Sequence, residues 1–191
     1  RTQPAQTPMT ISKQARSRLI LLLVALMFLG SFGVAATLFF SGWKPTQTRN
    51  IGEMLSPYPD LRDIPLIRAD GQPWQWQADQ RNWHILVDAP AGCGQPCSQM
   101  LNVLHRVWVS EGRHAERVKV LWFGELPADA PQFSGLVPMQ PSPALQARLP
   151  DVARADALPV YLADPNGYLI LRYAPGFNPS GLRKDLSRVV K

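Results

Sequence analysis

Cys93 and Cys97 are the only cysteines in the 191-residue chain, and they stand three residues apart in the stretch Ala91-Gly92-Cys93-Gly94-Gln95-Pro96-Cys97-Ser98-Gln99-Met100. Thiolate is the reactive form of cysteine, as nucleophile and as metal ligand. Ahead of the pair, residues 83–88 form an apolar run that reads as a buried strand. Behind it, Met100, Leu101, Leu104, Val107 and Trp108 repeat at helical spacing. A strand, a Gly/Pro turn and a helix therefore present both sulfurs at a helix N-terminus. Unpaired backbone N–H groups and the macrodipole favour an anion there. Such a setting lowers a thiol pKa from about 8.5 into a range of about 3.5–7.5. Thiol–disulfide exchange and binding of a soft metal both fit. A structural disulfide is the third use of paired cysteines in an exported domain. A bridge closing so short a loop, however, constrains the unfolded chain far less than a long-range one.

Other residues offer less. His84 lies inside the first strand and reads as a hydrogen-bonded core histidine. His105 stands two helical turns beyond Cys97, about 12 Å along the axis, too far for a shared metal. His114 reads as a solvated loop residue. Met139 supplies a soft third ligand only if its loop folds over the cysteines. Trp74, Trp76 and Trp122 read as packing residues.

The elements that must position the cysteines follow from the order of the chain. Residues 1–18 are polar and basic, and residues 1–40 carry Arg1, Lys13, Arg16 and Arg18 with no acid. The remainder holds sixteen bases against fourteen acids, so no basic face suited to nucleic acid is concentrated on it. The sequence opens on Arg1 and not on Met, and the expectation is a chain that is not the raw translation product. Residues 19–40 are 22 uncharged, mostly apolar residues. As a helix they span about 33 Å, enough for a hydrocarbon core of about 30 Å. A cleavable signal peptide would carry a shorter apolar region ending at a small-residue site, whereas Ala35-Ala36 is followed by more apolar residues. The segment reads as an uncleaved anchor. The flanking bases place the N-terminus in the cytoplasm and the domain in an oxidising space such as a bacterial periplasm.

Residues 41–63, with Pro45, Pro57 and Pro59, read as an extended juxtamembrane linker. A hairpin follows around Asp70-Gly71, then the 83–88 strand, and the cysteine-bearing helix to about Arg113. A second strand at 117–123 runs parallel to the first, because a helix separates them. Residues 124–143 read as a proline-rich irregular loop, of the functional or mobile kind, with a short helix at 143–148. A hairpin turns at Asp164-Pro165-Asn166-Gly167. Ser180 is expected to cap a final helix carrying Leu182, Leu186 and Val189 on its inner face.

This order, with Ile85-Leu86-Val87-Asp88 ahead of Cys-x-x-x-Cys and Leu158-Pro159 opening a late strand, resembles a thioredoxin-like domain over residues 64–191. The fold class is therefore α/β, a central mixed sheet flanked by helices, behind a single transmembrane helix. The cysteine spacing and the anchor most resemble the Sco (SenC) family, which assists copper delivery to cytochrome c oxidase. The resemblance makes Cys93 and Cys97 the functional pair. It makes Pro159 the cis-proline beside the disulfide, and Asp88 the buried aspartate that moves protons to and from the inner cysteine. The loop from Asp88 to Cys93 is one residue shorter than in thioredoxins. The Sco family adds a distant histidine as copper ligand. Here Asp156 falls at that position and no histidine follows His114. Carboxylate is a hard ligand and a poor substitute for imidazole at Cu(I).

The expectation is thus a thiol–disulfide oxidoreductase of the bacterial inner membrane, with its domain periplasmic. It would act with cytochrome c oxidase subunits or other assembly factors in copper-site assembly, and no cofactor is required. One alternative is a Cu(I) chaperone using Cys93, Cys97 and an atypical third ligand. The other is a non-catalytic subunit docked on the oxidase, its cysteines a mere staple.

Overall fold

A computed structural model of the chain describes residues 13–41, 50–151 and 157–190. The chain divides into two units, residues 1–48 and 49–191. The first contains α1 (Lys13–Phe40), whose segment Arg16–Phe40 is long and apolar enough to cross a membrane. The hydroxyls of Ser31 and Thr37 donate back to the carbonyls of Phe28 and Val34, which satisfies both donors within the helix.

The second unit is built on a six-stranded sheet. Its strands are β1 (Glu53–Met54), β2 (Trp83–Asp88), β3 (Val118–Phe123), β4 (Leu136–Met139), β5 (Val160–Ala163) and β6 (Leu169–Tyr173). Their order is β1-β6-β5-β2-β3-β4. β2, β3 and β4 run parallel, while β5, β6 and β1 alternate antiparallel beside them. The helix α2 (Gln95–Ser110) connects β2 to β3, as parallel pairing demands. α3 (Pro143–Gln146) and α4 (Pro179–Val189) complete the fold.

Both faces of the sheet are covered, which explains why β2 and β3 are mostly apolar and do not alternate. On one face Ile85, Val87, Val120, Trp122, Val160 and Leu162 pack against Leu101 and Leu104 of α2 and Leu182 and Leu186 of α4. On the other, Leu86, Leu121, Phe123 and Tyr161 pack against Leu61, Leu66 and Leu145. Burying each of these Leu side chains contributes roughly 1.5–3 kcal/mol.

Several expected elements differ. Residues 50–63, expected in the linker, are built into the domain. Glu53–Met54 pairs with β6, Leu61 is fully buried, and Asp60 bridges to Tyr168. Residues 42–49 lie outside the described residues. The Asp70-Gly71 turn forms, with Arg68 N–H donating to Gln72 O and Trp74 N–H to Leu66 O, but pairing stops at the single bridge Ile67–Pro73. The loop 124–143 contains β4, masked in the sequence by Pro138. An outermost strand tolerates proline because one of its edges donates no ladder bonds. α4 is capped by Asn178, whose side-chain oxygen accepts from Ser180 N–H at 2.9 Å, and not by Ser180 itself.

Candidate functional site

β2 ends at Asp88, the chain turns through Gly92 and Gly94 at positive φ, and α2 begins at Gln95. Those two left-handed positions suit glycine because it has no Cβ. Pro96 sits in the first turn of α2, where its missing N–H costs nothing. The turn brings Cys93 and Cys97 to a Cα separation of 5.6 Å, and they are joined as a disulfide. Cys97 lies inside the first turn of α2 and is 1% exposed. Cys93 precedes the helix and is 7% exposed. An open cavity of about 270 Å³ reaches both sulfur-bearing residues. Its walls are Pro90, Gly92 and Gly94 on one side and Glu125, Leu126 and Pro127 on the other. Cys93 is thus the sulfur nearer solvent, as its place ahead of the helix predicts.

The loop bearing Glu125 leaves the end of β3. Active groups of open parallel sheets gather at the carboxyl ends of the strands. The loop after β3 therefore opens on the same edge as the turn after β2. Ser98, one residue past Cys97, donates its hydroxyl to Asp129 Oδ1 at 2.6 Å. A reading of the sequence that rests on the cysteines alone misses Glu125, Ser98 and Asp129. Two acids on a loop directly following a parallel strand are the signal that points to them.

Two expected site residues do not join the cysteines as anticipated. Side chains alternate faces along a strand. Ile85 and Val87 of β2 face the cysteine core, so Leu86 and Asp88 face the opposite one. Asp88 is buried there and accepts a hydrogen bond from Gln146 Nε2 of α3 at 3.2 Å. Burial raises its carboxyl above the ordinary value, and the Gln146 bond opposes this. Asp88 is therefore not the proton partner of Cys97. A loop one residue shorter places a residue of opposite strand phase at that level, and a one-residue shift inverts the face. Pro159 is buried next to Leu158, which packs in the cysteine core. Its peptide bond is not cis, however: among the described residues the cis bond is Ser56–Pro57.

Nor does a third soft ligand reach the pair. Met139 is buried on the far face of the sheet among Leu121, Phe123 and Leu145, and so cannot fold over the cysteines. Asp156 lies outside the described residues. Among the described residues no group of three His, Cys, Asp or Glu side chains is placed to hold a metal. His84 is 2% exposed, with its ring set edge-on between Trp74 and Trp76 and Nδ1 3.4 Å from Asp164 O. Burial lowers its pKa from 6.5 to about 4, so it is a neutral core residue. His105 stacks on Phe133 at 4.9 Å, and His114 is half-buried beside Arg113.

Comparison with known proteins agrees with this architecture. Residues 83–191 match the family described as transmembrane-like, thioredoxin-like, C-terminal domain. Three solved structures are similar at low identity. BsSco, a member of the Sco family of cytochrome c oxidase assembly proteins, is 12% identical over 73% of this chain and 97% of its own, with a TM-score of 0.52. The apo Sco1 protein from Thermus thermophilus is 16% identical over 76% and 98%, with a TM-score of 0.52. A putative electron transfer protein from Aquifex aeolicus VF5 is 16% identical over 72% and 98%, with a TM-score of 0.51. No curated protein sequence matches the chain.

Proposed function

The chain belongs to the transmembrane-like, thioredoxin-like family, and on that premise we propose that it is a membrane-anchored thiol–disulfide exchange protein working through Cys93 and Cys97. One observation carries the reading. The disulfide lies where α2 begins, with Cys93 at the mouth of an open cavity and Cys97 behind it. A staple needs no such access. In the reduced protein the thiolate of Cys93 attacks a client disulfide, supported by the positive end of α2. Cys97 then resolves the mixed disulfide.

We assign the domain to the extracytoplasmic side of a bacterial inner membrane. The bases Arg1, Lys13, Arg16 and Arg18, all ahead of the uncharged run 19–40, support this orientation, and an oxidising compartment suits a domain whose cysteines are paired. Maturation of a respiratory oxidase is the process we favour. The likeness to Sco-family structures supports it by fold analogy alone. Copper would be cargo in that setting. The donor set does not favour its carriage: two sulfurs share their cavity with Glu125, and a carboxylate is a hard ligand ill suited to Cu(I).

The test is a trap. Cys97→Ser, expressed in the native host, should accumulate a covalent complex through Cys93 that dissolves on reduction, and an oxidase subunit in it would support the client assignment. Stoichiometric Cu(I) binding lost in Cys93→Ser, with no trapped partner, would overturn the reading in favour of carriage. Normal oxidase assembly in a Cys93→Ser/Cys97→Ser double variant would reduce the pair to a staple.

A further inference from the structure

Resolution of a mixed disulfide requires Cys97 as its thiolate, and the phase of β2 turns Asp88 away from it. Another base has to stand on the cysteine side of the sheet. Of the side chains walling the cavity, Glu125 is the one besides the cysteines that ionises.

The segment carrying Glu125 is held in place at several points. Gly124 adopts φ +124°, and a Cβ there would lie 2.6 Å from Ala89 O, so the end of β3 is pressed against the chain leaving β2. Trp122, fully buried on the cysteine face, donates its indole N–H to Glu125 O at 3.2 Å. Asp129, four residues on, is tied by Ser98 to the first turn of α2. The Asp129 carboxylate is thereby engaged, whereas the Glu125 side chain is exposed along the cavity wall. Among the described residues no Lys, Arg or His lines the cavity. Glu125 is the charged group among the lining residues, and Asp129 stands further along the same loop with its carboxylate on Ser98.

We propose that Glu125 is the proton acceptor for Cys97 during resolution, directly or through one water, with Asp129 and Ser98 as positioning residues. The proposal rests on the thiol-exchange reading. Cys93 thiolate attacks one sulfur of the client disulfide. That S–S bond breaks, a Cys93–client bond forms, and the other client sulfur leaves as thiolate and takes a proton from solvent. Cys97 passes its proton to Glu125, and its thiolate attacks Cys93 Sγ. The Cys93–Cys97 bond forms and the mixed disulfide breaks. The departing client sulfur recovers the proton from Glu125. Two electrons pass from the protein dithiol to the client disulfide.

The test uses the full chain in detergent micelles, reduced and mixed with glutathione disulfide, with acid quenching to follow the glutathionylated intermediate. General bases contribute about 10²–10⁴-fold. Glu125→Gln should slow decay of the intermediate at least about tenfold near pH 6.5. The deficit should vanish above about pH 9, where a thiol with an ordinary pKa of about 8.5 ionises unaided. Glu125→Asp should recover part of the rate. An unchanged thermal midpoint of oxidised Glu125→Gln would support the base role over a structural one. A rate equal to wild type at every pH, or a deficit equal at every pH, would overturn the proposal while leaving thiol exchange standing. If the wild-type protein forms no glutathionyl adduct, the proposal fails together with the reading beneath it.

Discussion

At the residue scale, Asp88 and His84 are two buried ionisable groups on the same face of β2, and neither serves the cysteines. Asp88 sits among apolar side chains with Gln146 as its hydrogen-bond partner. Replacing it with Asn keeps an oxygen for Gln146 and removes a desolvated charge. Asp88→Asn should leave the rate of thiol exchange within about twofold of wild type and should raise unfolding free energy at neutral pH, as denaturant titration can check. A large loss of exchange with normal stability would return Asp88 to the site.

His84 acts with the opposite sign. Its folded pKa lies below the unfolded value, so its stabilising effect is complete above pH 6.5 and is lost as pH falls towards about 4. A drop from 6.5 to about 4 corresponds to on the order of 3 kcal/mol. Asp88 with its raised pKa favours folding at low pH and loses that effect as pH rises. Acid denaturation curves should therefore flatten between pH 6.5 and 4 in His84→Phe, which keeps a ring between Trp74 and Trp76. The cysteines were legible because type and spacing alone define them. The face of Asp88 was not, because one residue of loop length sets it.

At the scale of elements, the two central strands, α2 and the β5–β6 hairpin follow from apolar runs, helical spacing and the Asp164-Pro165-Asn166-Gly167 turn. Asp164 Oδ1 accepts from both Asn166 N–H and Tyr168 N–H in that turn. β1 and β4 escape such reading for separate reasons. β4 carries Pro138 and takes its partner from β3, far away in sequence. β1 is two residues long and is held by a side chain from the other end of the chain. Asp185 of α4, 2% exposed, accepts from Ile51 N–H and Gly52 N–H, both at 2.8 Å, and from Tyr173 Oη at 2.9 Å. Nothing in the local sequence around residue 51 announces a partner more than 130 residues away.

The Asp185 clamp makes its own prediction. A Cβ on Gly52 would lie 2.7 Å from the Tyr173 ring. Gly52→Ala should therefore push the segment away from Tyr173, loosen its bonds to Asp185 and lower stability by about 1–3 kcal/mol, as overpacking does. Proteolytic nicking near residue 50 should increase in parallel. Unchanged stability and protease resistance would mean that the segment is dispensable to the fold.

At the scale of the whole molecule, composition assigns the parts before any contact is known. The apolar, uncharged run 19–40 and a near-neutral remainder divide the chain into a candidate membrane span and a thioredoxin-like domain. The family match to residues 83–191 bears out the thioredoxin-like domain. The proposed exchange function rests on the placement of the disulfide: Cys93 at an open cavity, Cys97 within the helix, and both at the carboxyl end of the parallel strands.

The most direct measurement is the reduction potential of Cys93–Cys97 in the full-length protein, titrated against a dithiol couple and read by thiol trapping. Exchange proteins lie between about −270 and −120 mV, whereas structural disulfides typically lie below about −300 mV. The expected result is reversible two-electron reduction above about −300 mV, with Cys93 alkylated first. A pair that stays oxidised at potentials well below that bound would contradict it.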